Sequence, residues 1–315
     1  MRAIIVTTPG GSSALDLAEV PDPVPGAGEA LVEVAAIGVN FIDVYHREGR
    51  YPLPAPFTPG SEGAGTVVAT GPGVTEVAVG DRVAWANVIG SYAEKQVVPA
   101  AKLVPVPEPL GLDLAAAVLL QGMTAHYLTH STHTIKPGDE VLIHAAAGGM
   151  GLLLTQMAKM RGAHVIATVS SEAKEKLARA AGADEVLRYA DVAAGVRKRC
   201  HVVYDGVGAA TFEDSLAALR PLGLLALYGA ASGPVPPFDL QRLNQAGSLF
   251  VTRPTLGHYV ATRPDLLARA GDVLGWVADG SLDVAVYDRY PLAEARRAHD
   301  DLESRRTTGK LLLIP

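Results

Sequence analysis

A strand, a tight turn and a helix N-terminus are written into Val141-Leu-Ile-His-Ala-Ala-Ala-Gly-Gly-Met-Gly151 and the apolar run that follows it to Met157. Apolar and β-prone residues lead into a turn of small residues, and a helical pattern starts directly after it. The free N–H groups of a first helical turn favour an anion, and glycine lets the backbone approach it, so the segment suits a diphosphate. Its core is Ala146-Ala147-Gly148-Gly149-Met150-Gly151, with alanine in place of the first glycine of G-x-G-x-x-G. Alone, the motif also describes a glycine-rich turn without a ligand.

The rest of the chain narrows the choice. With 315 residues, 49% hydrophobic and 19% charged, it is long enough for two domains with separate cores and too apolar to be largely disordered. A formal net charge of -6 leaves no phosphate-backbone footprint, so no nucleic-acid partner is expected. The single cysteine, Cys200, excludes an intrachain disulfide and a cysteine metal cluster. No apolar run approaches the roughly 20 residues that span a bilayer. The opening residues Met1-Arg-Ala-Ile-Ile-Val-Thr-Thr-Pro9 read as a strand rather than a signal peptide. The expectation is a cytoplasmic protein with no membrane anchor.

Up to about residue 110 the chain consists of short β-prone runs broken by Gly and Pro, among them 30–37, 65–69, 81–84 and 92–98. This predicts a mainly β unit. Asp113 is then placed as the N-cap of a long helix ending near His130. Strands and helices alternate afterwards: strands over 141–144, 164–169, 185–188, 201–205, 223–228 and 248–252, and helices over 151–161 and 172–181. Ser171 serves as N-cap and Gly182 as C′ residue of the last. Alternation of this kind predicts a doubly wound parallel sheet with helices on both faces. A helix over 264–279 and a strand over 309–314 are expected to return to the first domain. The expected boundaries are 1–118 with 256–315, and 119–255.

The second strand of an NAD-binding unit commonly ends in Asp or Glu, which accepts hydrogen bonds from the adenosine ribose. Here the tip is Ala167-Thr-Val-Ser-Ser171, with no carboxylate. Ser170, Lys174 and Tyr189 bring a hydroxyl, an ammonium and a phenol that can surround a 2′-phosphate, which points to NADPH rather than NADH. Individually, Lys174 also suits a solvated helix face and Tyr189 a half-buried aromatic.

The segments Ile37-Gly-Val-Asn-Phe-Ile-Asp43, Pro59-Gly-Ser-Glu-Gly-Ala-Gly65, Gln121-Gly-Met-Thr124, the turn at 144–151, Val203-Tyr-Asp-Gly-Val-Gly208 and Gly247-Ser-Leu-Phe-Val-Thr-Arg-Pro254 follow one another in a specific order and spacing. In these the chain resembles the quinone oxidoreductase branch of the medium-chain dehydrogenase/reductase superfamily. The resemblance implies an α/β protein: a Rossmann-type domain holding NADPH and a mainly β GroES-like catalytic domain, with substrate in the cleft between them. It also implies hydride transfer from NADPH to a quinone. The rival reading is reduction of an enone, an alkenal or a 2-enoyl thioester; a remoter one is a non-catalytic NADPH-binding or RNA-binding protein.

Zinc-dependent members of the superfamily carry Cys where Asn40 stands and His where Ser61 stands. Neither replacement is a usual zinc ligand, so no metal is expected. His126, His130 and His133 share a helical spacing but are read as a solvated helix end. A site without a Lewis acid needs substrates that already accept hydride, such as quinones and conjugated carbonyls.

By resemblance, Asn40 lies near the nicotinamide and Tyr51 at the catalytic end, where related enoyl thioester reductases carry a tyrosine proposed to donate a proton. Asn40 also suits a turn-stabilising role, and Tyr45, the third catalytic candidate, a core or rim aromatic. Asp43 is read as a structural partner. Gln121 and Thr124 are within reach of the nicotinamide or its ribose, with packing an equal alternative for Thr124. Ala147, Gly148, Gly149, Met150 and Gly151 form the diphosphate turn. Val207 and Gly208, then Tyr228, Gly229 and Ala230, follow later strands, and the main chain of Phe250, Val251 and Thr252 faces the nicotinamide amide. Arg253 is a phosphate or substrate contact or a structural ion pair. The edge strand at 248–252 is too apolar to stay bare, so a homodimer through it is expected.

Overall fold

A computed structural model describes residues 1–315. The chain divides into two compact units, Met1–Met123 with Val260–Pro315, and Thr124–Tyr259.

The first unit is built on a seven-stranded sheet. Its order is Val286–Pro291, Lys310–Ile314, Glu29–Val39, Glu62–Thr70, Arg82–Ala86 and Val104–Pro105, with Lys95–Pro99 also pairing on Glu29–Val39. Glu29–Val39 alternates buried and more exposed residues along most of its length, then is buried on both faces from Ala36 to Val39. The change of pattern marks where other elements close over its end. One core holds Ile4, Val32, Val67, Trp85, Tyr92, Leu311 and Leu313. The helix Leu112–Tyr127 leads out of this unit. It starts one residue before Asp113, so Asp113 is in its first turn, where it pairs with Arg289, and is not its cap. At the far end the helix runs into a π-helical stretch, Leu128–Thr132.

In the second unit six parallel strands stand in the order Glu185–Arg188, His164–Val169, Glu140–Ile143, Cys200–Asp205, Leu219–Leu227 and Phe250–Thr252. Numbered within the unit this is 3-2-1-4-5-6, the doubly wound arrangement whose direction reverses between its first and fourth strands. Apolar side chains from adjacent strands, Leu142, Ile166, Val203 and Leu225, pack with Phe212 and Leu216. The helix Glu172–Ala180 is capped by Ser171, whose hydroxyl accepts the Lys174 N–H, and Gly182 beyond it takes a φ of 107°. Both ends follow the expected chemistry.

Candidate active site

In the second unit the turn after the first strand is the candidate cofactor cradle. The helix Gly149–Met160 has Gly148 at its N-cap and no side-chain cap on its first turn. A methyl group on Gly151 would stand 2.4 Å from Ala145 O and 2.5 Å from Ala146 Cα, so only glycine lets the helix start that close to the turn. The strained residue is Ala145, with a φ of 52°. Ala146 instead donates its N–H to Thr168 O at 3.1 Å and is fully buried. Alanine at 146 thus fits here. Tyr189 holds the strained turn from outside: its hydroxyl accepts the Ala145 N–H at 3.1 Å, and its ring stacks on His144 at 6.0 Å between centroids.

Beneath the turn lies a buried polar network that the sequence reading did not assign. His144 meets Thr168 Oγ1 at 2.9 Å and Ser215 Oγ at 3.0 Å. Ser215 and Thr211 donate to Asp205 Oδ2 at 2.8 and 2.7 Å, and Asp205 Oδ1 accepts the N–H groups of Val207 and Gly208. Burial holds the His144 imidazole below its usual range. The network joins the first, second and fourth strands at their carboxyl ends, where ligands of such sheets bind. Tyr228, Gly229 and Ala230 follow the fifth strand; a Cβ on Gly229 would come within 2.4 Å of Gly206 O. Ser170 is exposed and Lys174 and Tyr189 half-buried; burial also lowers the Lys174 ammonium below the usual lysine range. A helix start without a side-chain cap, small backbone-packed residues and this ammonium without a strand-tip carboxylate fit a phosphorylated dinucleotide. Phe250–Thr252 is the outermost strand, with Phe250 58% exposed. Arg253 donates to Leu227 O at 3.0 Å.

In the first unit the sheet register assembles the other cluster. Leu311 pairs with Val39 and Gly63 with Ile37, so one step along each ladder puts Lys310 opposite Asn40 and Glu62 opposite Gly38. Lys310 Nζ donates to Asn40 Oδ1 at 2.7 Å and to Glu62 Oε2 at 2.6 Å. Asn40 Nδ2 donates to Glu62 Oε2 at 2.9 Å and Gly38 O at 3.2 Å. Glu62 Oε1 accepts the Leu120 N–H at 2.5 Å, and Gln121 Nε2 reaches Asn40 Oδ1 at 3.4 Å. Glycine at 38 is required, because a Cβ would lie 2.2 Å from Glu62 Oε2. Glu62 and Lys310 were not assigned from sequence. The signal was a lysine at the head of the apolar run Leu311–Ile314, since a lysine is rarely fully buried without a partner.

Asp43 is buried in a second network. It accepts from Ser61 Oγ at 2.8 Å, from the Asn40 N–H at 2.9 Å and from Tyr92 OH at 3.2 Å. Burial pushes its carboxyl up to about 6, against those hydrogen bonds and the Lys310 charge. Tyr92 continues to His299 Nε2 at 2.9 Å, and His299 Nδ1 meets Arg47 Nη1 at 3.1 Å. Burial and the Arg47 charge push His299 down to about 3, so it is neutral. Tyr45 and Tyr51 meet edge to face at 5.5 Å, and Tyr51 is 44% exposed. His46 lies against Tyr51 at 6.2 Å, with its Nδ1 buried and without a partner.

Asn40 and Ser61 are therefore tied to Lys310, Glu62 and Asp43. An amide, a hydroxyl and an ammonium do not make a zinc site. Glu140, His164 and Glu185 approach one another at the opposite, amino ends of three strands, where Arg199 bonds both carboxylates. Of the three histidines read as a solvated helix end, His126 is instead buried and stacks on His130 at 4.3 Å, while His130 and His133 are half-buried where the π-helical stretch Leu128–Thr132 finishes the helix. His133 pairs with Asp139 at 3.0 Å.

Two family models match the chain, the alcohol dehydrogenase GroES-like domain over residues 26–108 and the zinc-binding dehydrogenase domain over residues 149–269. A mainly antiparallel β unit and a 3-2-1-4-5-6 parallel sheet with a glycine-turn cradle define a medium-chain dehydrogenase/reductase. A quinone oxidoreductase of Pseudomonas aeruginosa is 46% identical over 315 aligned positions, covering 97% of each protein. A 2-haloacrylate reductase of a Burkholderia species is 42% identical, covering 100% of this chain and 99% of its own. The crystal structure of Escherichia coli quinone oxidoreductase complexed with NADPH superimposes with a TM-score of 0.96 at 40% identity over 100% of both chains. The chain belongs to the quinone oxidoreductase family of that superfamily.

Proposed function

We propose that this chain is an NADPH-dependent quinone reductase that transfers hydride without a metal. The observation that carries this reading is the donor set around Asn40. The positions at which zinc-dependent relatives place metal ligands are bound to a lysine–glutamate pair and a buried aspartate. Such a site holds no Lewis acid, so its substrate must accept hydride through conjugation. The P. aeruginosa relative, at 46% identity, is a quinone oxidoreductase.

NADPH, when bound, supplies the hydride from its nicotinamide. The chain's own contribution is binding and orientation. The 147–151 turn receives the diphosphate, its Gly148 N–H being already given to Ala145 O, and Ser170, Lys174 and Tyr189 surround the 2′-phosphate. Val207, Gly208, Tyr228, Gly229 and Ala230 shape the channel for the cofactor, and the main chain of Phe250, Val251 and Thr252 meets the carboxamide. Gln121 and Thr124 take the nicotinamide riboside. Asn40, Tyr45 and Tyr51 form the catalytic end, where the exposed Tyr51 phenol is the group placed to hold a proton near the substrate. We assign substrate handling to 1–118 with 256–315 and cofactor binding to 119–255. A homodimer through the exposed strand near Phe250, in the cytoplasm, completes the proposal.

Steady-state rates with 1,4-benzoquinone, an alkenal and a crotonyl thioester under one set of conditions test the substrate class. Benzoquinone is expected to be the fastest; a negligible rate with it overturns the proposal. The similarity to a 2-haloacrylate reductase supports a second reading, reduction of conjugated carbonyls by the same hydride chemistry, and a high alkenal rate would favour it.

A further inference from the structure

The cluster around Asn40 has a fixed electrical polarity. An ammonium only donates hydrogen bonds and a carboxylate only accepts them. Lys310 faces Asn40 Oδ1 and Glu62 faces Asn40 Nδ2. Reversing the amide would set nitrogen against ammonium and oxygen against carboxylate, so Asn40 has one orientation. Both of its N–H groups are then used, on Glu62 and on Gly38 O, which leaves Asn40 no donor for a ligand.

The orientation passes on to Gln121. Its nitrogen must face the Asn40 oxygen, at 3.4 Å, and its carbonyl is turned the other way. That atom, Gln121 Oε1, is shielded from solvent and has no hydrogen-bond partner. An unsatisfied buried acceptor is costly, and Gln121 Oε1 stands beside a cluster in which Lys310, Glu62 and Asn40 are all hydrogen-bonded.

We propose that the Lys310–Glu62 pair fixes the polarity of Asn40, and through it of Gln121, which presents a carbonyl acceptor to an O–H or N–H donor of the bound ligand. Lys310, Glu62 and Asn40 are positioning residues, and Gln121 is the contact. This rests on the reading of the chain as an NADPH-dependent reductase. Two sources carry the required donor: the nicotinamide riboside of the cofactor, through a ribose hydroxyl or the carboxamide N–H, and the hydroxyl of the reduced quinone.

The test uses the full-length protein, with NADPH and NADH affinities from the quenching or enhancement of their fluorescence and with benzoquinone kinetics. A wild-type protein that neither binds NADPH nor reduces quinone defeats the reductase reading itself, before any variant is made. Given an active wild type, Gln121→Met removes the acceptor and keeps the shape. A donor on the cofactor is expected to raise Kd for NADPH and NADH alike by at least tenfold. A donor on the reduced quinone leaves both Kd values unchanged and lowers kcat/KM for quinone at least tenfold. The double variant Glu62→Gln, Lys310→Met, checked for folding by its thermal melt, is expected to shift the same parameter at least threefold, and Lys310→Arg to stay within threefold of wild type. Affinity and kcat/KM within twofold of wild type in Gln121→Met overturn the proposal, as does a folded double variant that behaves as wild type. Should the double variant not fold, Gln121→Met decides alone.

Discussion

Lys310 Nζ lies 2.6 Å from Glu62 Oε2, with 2% and 0% of the two side chains exposed. Removing one member of a buried ion pair leaves an uncompensated charge, at a cost of about 3–5 kcal/mol, whereas replacing both by apolar groups is often close to neutral. Lys310→Met should therefore lower the free energy of unfolding by several kcal/mol. Combining it with Glu62→Met should restore much of the loss. Urea titrations of the wild type and three variants check this; equal losses in the single and double variants would show that the pair is not what stabilises this corner.

Asp43 should make stability depend on pH in an unusual direction. Its carboxyl is raised from 3.8 to about 6 in the folded chain by burial. The native state holds the proton more tightly, so this contribution is fully present below about pH 4 and is lost as pH rises through about 6. Two pKa units correspond to about 3 kcal/mol at most. Its surroundings are Ser61, the Asn40 N–H, Tyr92 and Lys310, all of which oppose the shift. In Asp43→Asn the change of unfolding free energy between pH 4 and pH 7 should differ from wild type by that order. Parallel pH curves for the two proteins would refute the assignment.

Lys174→Ala should separate the two nicotinamide cofactors. A hydrogen bond to a charged group contributes about 1.5–3 kcal/mol, which is roughly a 10- to 150-fold rise in KM for NADPH. KM for NADH should stay within about twofold. Equal effects on both would remove Lys174 from the 2′-phosphate site.

Phe250 offers a test of self-association. It stands on the outermost strand of the parallel sheet and is 58% exposed, with Val251 beside it at 39%. An apolar edge strand favours pairing with another strand. Sedimentation of the wild type at micromolar concentration should give a dimer, and Phe250→Asp a monomer with an unchanged thermal melt. A wild type that sediments as a monomer ends the proposal.

Local signals in the sequence carried the second unit well. The strand His164–Val169 has the expected bounds, and Ser171 and Gly182 frame the helix after it as their side-chain and backbone preferences require. The alternation of strands and helices was enough for a doubly wound parallel sheet, because short connections and right-handed crossovers leave few alternatives; its strand order is seen only in the structure. What escaped was tertiary. Asp113 has the chemistry of a cap, yet Arg289, 176 residues away, takes its carboxylate. His126 has the composition of a helix end, yet it is buried within a helix that finishes at Thr132. Tyr189 suggested a phosphate contact through its position, but its bond to the strained Ala145 depends on two strands that are not sheet neighbours. Lys310 looked like an ordinary lysine before a strand, since its partners Asn40 and Glu62 lie 270 and 248 residues earlier.

That last separation bears on how the molecule is made. Glu62 emerges from the ribosome long before Lys310, and all of Thr124–Tyr259 is synthesised in between. Lys310 opens the sheet strand Lys310–Ile314, which flanks Glu29–Val39. The usual order, in which the amino-terminal domain folds first during synthesis, is thereby inverted. The inserted unit has all its strands while the unit around it still waits for its closing strand. Until then a nascent chain carries Glu62 without its counter-ion and the Glu29–Val39 strand without its neighbour Lys310–Ile314.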